Sequence, residues 1–237
     1  MSDSSRRPEL KTGGARIHST FCAVKESAIA LAATNLCRWP QGHVITWTIE
    51  ERLTEFSDEE YSDVCEMAWG MWEAKSGVRL EYVTGGRPNI ILTTRRIDGE
   101  FGILAEAELP CGNITPQSQL RMWADSSESW VNAQNPSGRM IDALRVIAHE
   151  FGHLLGLSHI TKDRALMNPA VSEIRTLQAL DIEQAVLRYG DSSTTPPPSG
   201  GVNLCGGLLN HLFTDPEDRK TAFKGWELLK RAVGGRE

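Results

Sequence analysis

The sequence has no excess of positive charge: 25 Lys and Arg stand against 31 Asp and Glu, a formal net charge of −6. No basic block interleaved with aromatics occurs either. Nucleic acid is therefore not an expected partner, because neutralising phosphates needs clustered cations. No apolar run approaches the roughly 20 residues that a membrane-spanning helix requires, so no membrane span is expected. A secretory signal is not evident: residues 1–20 are polar, and the early apolar patch at 28–33 is too short for the core of one. That pattern fits an intracellular product, a mature fragment or export by another route. Cysteine is sparse and unclustered. Cys22, Cys37, Cys65, Cys111 and Cys205 show no C-x-x-C spacing, so no cysteine metal cluster is implied, and their odd number excludes complete pairing within the chain. Reduced structural thiols are the expectation for most of them.

Histidine is scarce too, with six in 237 residues, so its one dense cluster is informative. Residues 148–159 read A-H-E-F-G-H-L-L-G-L-S-H and contain H-E-x-x-H-x-x-G-x-x-H. On a helix, His149 and His153 are one turn apart and share a face, so their imidazoles converge. Glu150 lies beside them and can hold a metal-bound water. Gly156 permits positive φ, which lets the helix end and the chain turn back to bring in His159. Three histidine nitrogens with an open fourth position describe a catalytic zinc rather than a structural one. A five-residue match of this kind arises by chance in roughly one chain in ten thousand. His18, His43 and His211 have no partner spacing and read as surface or packing residues.

The rest of the chain alternates strand and helix signals. Residues 44–49 are β-branched around Trp47 and predict a first strand. Ser57 with Glu60 matches a capping box, opening a helix to about residue 75 with Tyr61, Val64, Cys65, Ala68, Met71 and Trp72 at helical spacing. Strands follow at 79–83, 89–93, 102–109 and 119–124. Ser137 is a cap for the histidine-bearing helix, expected over 139–157, and a last helix is expected over 174–189, stopped by Gly190. Four segments result: an N-terminal extension at 1–37, a catalytic domain at 38–190, a Pro/Gly/Ser-rich linker at 191–201 and a helical tail at 202–237. The tail carries Phe223, Trp226, Leu229 and Val233 on one stripe and is too small to fold alone, so it packs on its own domain or on a partner protein.

Residues 144–169, with His149, Glu150, His153, Gly156, His159 and the run A-L-M-N-P at 165–169, resemble a metzincin metallopeptidase, and within that clan a matrixin. Similarity extends over about residues 38–190. It implies an α+β domain with a twisted, mostly parallel five-stranded sheet, three main helices and an active-site helix under the cleft. It places Met167 in a turn that floors the three imidazoles without ligating the metal. It implies an extended polypeptide substrate that adds to an edge strand at Ile103, Leu104 and Ala105, beside a pocket walled by Asn168 and Pro169. The family suggests an extracellular setting.

The sequence also departs from the family. Glu106 and Trp123 stand where two histidines of a second, structural zinc would fall, so one catalytic zinc is expected and the structural zinc is not. Asp125 and Glu128 match calcium-ligand positions, but residues 110–115 lack the usual aspartate, so calcium is left open. In the last helix only Asp181 remains of the family's paired aspartates. An extension ahead of such a domain is either plain or a latency segment, with a thiolate of Cys22 or Cys37 capping the metal. The function expected is zinc-dependent hydrolysis of internal peptide bonds, with Glu150 as general base. The alternatives are a non-catalytic zinc-containing binding module and a self-processing peptidase with a dedicated partner.

Overall fold

The computed structural model describes residues 37–192, apart from 135, 162, 163 and 171. The extension with Cys22, the linker beyond 192, the tail and Cys205 therefore lie outside the described residues. Within them the elements run β1 (Val44–Ile49), α1 (Asp58–Glu73), β2 (Arg79–Tyr82), β3 (Ile90–Arg95), β4 (Ala105–Ala107), β5 (Leu120–Asp125), β6 (Trp130–Val131), β7 (Ile141–Asp142), α2 (Ala143–Leu154) and α3 (Ala179–Tyr189).

The main sheet has five strands in the order β2-β1-β3-β5-β4. All its pairs are parallel except β4 with β5, which is antiparallel and leaves β4 on the edge. The expected mostly parallel sheet is thus present. Parallel neighbours require crossovers, and α1 supplies the one from β1 to β2. Ser57 opens α1 through the expected reciprocal cap: its Oγ accepts from Glu60 N at 3.2 Å, and its own N–H donates to Glu60 Oε2 at 2.8 Å. Tyr61, Val64, Cys65, Ala68, Trp69 and Trp72 form the buried stripe of this helix. Trp69 stacks on Phe151 of α2, with ring centroids 3.6 Å apart, which packs the two helices along one another. α2 in turn packs on β4 and β5. Every residue of α2 is buried.

Three elements differ from the sequence expectation, each for a local reason. α2 starts at Ala143 rather than near 139, because Ile141 and Asp142 pair with Trp130 and Val131 as a short parallel ribbon. Asp142, not Ser137, occupies the N-cap, and its carboxylate is taken by Arg175 at 2.8 and 3.2 Å. α3 starts at Ala179 rather than 174, because the Ala170 and Ile174 carbonyls accept from the Arg145 guanidinium and hold that stretch away from helical geometry. β4 shrinks to three residues, since the Ile103 N–H donates to the Asp98 carboxylate at 3.0 Å.

Cysteine gives the largest correction. Cys37 and Cys111 form a disulfide across 74 residues of sequence, leaving Cys65 as a buried free thiol. Cys37 therefore has no thiolate to offer a metal, which removes it as a latency thiol. The bond lays residues 37–39 against the carboxyl end of α2. There the Trp39 indole N–H donates to Leu154 O at 2.9 Å, and the Tyr189 hydroxyl donates to Leu155 O at 2.8 Å while accepting from Trp39 N. These are carbonyls that a helix end leaves unsatisfied. Replacing both cysteines by serine should cost about 4 kcal/mol on the chain-entropy argument for a loop of this size. The check is the denaturant midpoint of the paired-serine variant against the oxidised parent. Superimposable curves would show that the cross-link does not constrain the unfolded chain.

Candidate metal centre

His149 and His153 project from successive turns of α2, and His159 returns after the turn at Gly156. His153 Nε2 lies 3.2 Å from His149 Nε2 and 3.1 Å from His159 Nε2. Zinc–nitrogen bonds of 2.0–2.1 Å arranged tetrahedrally give an edge of about 3.3 Å, so three nitrogens at this spacing fit three corners of one zinc shell. Among the described residues this is the one group of three or more potential ligand residues whose donor atoms come together. His43 instead pairs with Asn89 at 2.9 Å.

The orientation of the rings is set from behind. His149 Nδ1 lies 2.7 Å from Leu166 O, and His153 Nδ1 lies 2.8 Å from Leu157 O. A carbonyl accepts only, so each Nδ1 carries the proton and each Nε2 presents its lone pair inward. The Leu157 carbonyl is placed by the turn. Gly156 has φ +87° and packs so tightly on Cys37 that an added Cβ would sit 1.9 Å from the Cys37 carbonyl oxygen. The Leu166 carbonyl is placed by Asp181, whose buried carboxylate accepts from Leu166 N at 2.8 Å, Met167 N at 3.0 Å and Gln178 N at 2.7 Å.

Met167 is fully buried. It reaches α2 at Gly152, where a Cβ would fall 2.3 Å from its sulfur and 2.9 Å from the Trp72 ring. Trp72 also donates its indole N–H to Ala148 O at 2.9 Å, directly before His149. Sequence reasoning treated Trp72 as a core contact and did not single out Gly152. A glycine inside a helix costs about 1 kcal/mol against alanine, and that cost was the available signal of a close approach.

Burial pushes all three imidazoles down. His149 lies well below its usual value, His153 falls to about 3 and His159 to about 4, with the neighbouring imidazoles adding to the effect at His149 and His153. Neutral rings are the form that binds a metal. Glu150 is fully buried on the same helix.

The other expected site residues divide. Ala105 begins β4, while Leu104 is buried in the core and gives its carbonyl to Asp125 N at 2.8 Å. Ile103 precedes the strand. A cavity of about 900 Å3 opens near the first histidine, lined by Val146 and Arg145 one turn before it, by Ile141, by Ala165 and Asn168 around the Met167 turn, and by Ile174. Pro169, half-buried, is not part of that lining.

Asp125 and Glu128 lie apart from the histidines, against the segment that precedes β4. Asp125 accepts from Asp98 N at 3.3 Å and Ser127 N at 2.8 Å, and Glu128 accepts from Phe101 N at 2.5 Å. Burial raises Glu128, and the carboxylates of Asp125, Glu100 and Asp98 raise it further. Burial also works against Asp125, but hydrogen bonds from Ser127 and from the Asp98 and Ile97 backbone hold it below the usual value. Asp98 stands outside residues 110–115, the segment in which the family resemblance places a further acid.

The depressed histidines carry a pH signature. In the metal-free fold they stay neutral, while in the unfolded chain they bind protons below about pH 6.5. Stability is thus complete above that value and is lost as pH falls from about 6.5 towards 4, the region where His159 titrates. Melting temperatures of chelator-stripped protein across this range should fall steeply. Zinc-saturated protein should melt at a higher temperature across the same range, because the ion binds the folded triad. Coincident profiles for the two would show that the triad does not hold the metal.

Comparison with known proteins agrees with this geometry. The sequence profile of the matrixin family matches residues 38–189. Interstitial collagenase from Sus scrofa is 30% identical over 189 residues, covering 76% of this chain and 38% of the relative. Neutrophil collagenase from Homo sapiens is 27% identical over 191 residues, covering 76% and 39%. Matrix metalloproteinase-16 from Homo sapiens is 26% identical over 211 residues, covering 81% and 32%. The chain thus spans less than half the length of these relatives. With its fold, its histidine triad and the profile match over most of its length, the chain belongs to the matrixin family of zinc metallopeptidases.

Proposed function

We propose that residues 38–190 form an active zinc endopeptidase that hydrolyses internal bonds of extended polypeptides. The observation that carries this reading is the convergence of three Nε2 atoms, two of them with Nδ1 committed to a carbonyl, on a helix that also carries the buried Glu150. Zinc bound there would polarise the scissile carbonyl and bring the pKa of its bound water towards ~7.

The chain's own groups do the rest. His149, His153 and His159 would hold the ion as neutral ligands. Glu150 accepts the proton of the attacking water and delivers it to the leaving amine, so water and peptide are converted to a carboxylic acid and an amine without a covalent enzyme intermediate. The open edge of β4 offers backbone groups to an extended peptide, and Ala105 is the first residue of that strand. Asn168 lines the cavity at Arg145 and Val146, which receives one substrate side chain. Met167 supports the three rings from below. An intact Glu150 favours an enzyme over a binding module, since loss of that base is the simplest route to a silent site.

A denatured protein substrate tests this. Cleavage should disappear with a chelator and return with zinc. Glu150→Ala should lower turnover by about 100-fold or more while zinc stays bound. Equal cleavage in all three conditions would sink the mechanism.

We also propose a calcium ion beside Asp125 and Glu128. Glu128 is 4% exposed, and its Oε2 has no hydrogen-bond partner. A hard cation would satisfy that oxygen and relieve the crowding of carboxylates around it. Calcium at millimolar concentration should raise the melting temperature by about 4 °C or more, and Glu128→Gln should abolish the rise. No shift in the parent protein would remove calcium from the account.

A further inference from the structure

The positions where this family's second zinc would sit do not fit a metal here. Trp123 offers an indole N–H and no lone pair for a cation. Its direct cross-strand partner, Glu106, already has its carboxylate paired with the Arg95 guanidinium. The same guanidinium lies over the Trp123 ring, 4.4 Å from its centroid. Arg95 belongs to β3, Trp123 to β5 and Glu106 to β4, so one side chain reaches across the middle strand and grips the edge strand.

Apart from its packing against α2, β4 has little else to hold it. It is three residues long and pairs with β5 alone. Its other two side chains are the methyl groups of Ala105 and Ala107, which bury little area. Leu104 O accepts from Asp125 N, and Glu108 N donates to Arg121 O. Strand alternation therefore turns the backbone groups of 104, 106 and 108 towards β5 and those of Ala105 and Ala107 towards the open edge. Glu106 is thus the residue whose side chain is clamped, and its two neighbours are the ones that face an incoming peptide.

We propose that Arg95, Trp123 and Glu106 are a metal-free staple that keeps the edge strand in register for substrate addition. An ion pair lying on an aromatic face combines charge pairing with cation–π attraction, and its planar guanidinium fixes direction as well as distance. Arg95 is a positioning residue: it acts through β4 and does not touch the reacting atoms. The substrate role rests on the endopeptidase reading above; the staple itself does not.

The experiment uses the full chain with zinc bound. Metal analysis should find one zinc per chain in the parent and in Arg95→Met. Hydrogen exchange without substrate should be about tenfold faster at the inward-facing amides of Glu106 and Glu108 in Arg95→Met, with the α2 amides unchanged. Arg95→Lys, which keeps the charge and part of the ring contact, should recover most of that protection. With a peptide substrate, Arg95→Met should raise KM about fivefold and leave turnover at saturation within about twofold. Unchanged exchange at Glu106 and Glu108 in Arg95→Met would overturn the proposal, as would a second zinc whose removal frees the edge strand. If exchange responds as expected but no peptide is ever cleaved, the staple stands and the endopeptidase reading fails.

Discussion

Two backbone carbonyls decide which way the metal-site imidazoles face. The contacts of His149 with Leu166 O and of His153 with Leu157 O leave both Nε2 lone pairs pointing at each other across 3.2 Å, an arrangement that is repulsive without a cation between them. The surrounding structure exists largely to keep those two carbonyls still. Asp181 holds the 166–167 backbone by two N–H groups and ties it to the start of α3 through Gln178. The Gly156 turn presents Leu157, and the Cys37 carbonyl packed against it leaves no room for a side chain at that position. Gly152 lets the Met167 sulfur lie directly on the helix that carries the ligands. Each support comes from a different part of the sequence, so the site reports on the integrity of the whole domain.

The two sides of the sheet edge solve similar problems by different means. Near Asp125 and Glu128, carboxylates are spent on backbone N–H groups of the segment before β4. At Glu106, a carboxylate is spent on a guanidinium that arrives from two strands away. In both places charge adds to apolar burial, because the strand concerned is short and its inward residues are small.

What was legible in the sequence was local and periodic. The H-E-x-x-H spacing specifies a helix face, the Ser57–Glu60 box specifies a helix start, and β-branched runs specify β1 and β3; all of these read out within a few residues. The less legible features depend on partners far away. Ser137 looked like a cap because its neighbours were polar, but pairing of Ile141 and Asp142 with β6 defers the helix. The 174–178 stretch has helical composition, but Arg145 claims its carbonyl. Cys37 and Cys111 carry no local mark of pairing, since 74 residues separate them. Asp181 was visible as a surviving acidic residue, yet its three backbone partners could not be read from a helical pattern.

The Cys37–Cys111 cross-link also bears on how the molecule is made. Such a bond closes only where an oxidant is available and survives only where thiols are not kept reduced. Maturation therefore has two separable acts, closing the cross-link and loading the metal, and the first organises the helix end next to which the second takes place. A preparation from a reducing compartment would differ by only two hydrogen atoms in mass, yet residues 37–39 would no longer be tethered to the loop at 111. Two batches of one purified sequence can thus differ in how residues 37–39 are held, for a reason that lies in neither the metal nor its ligands.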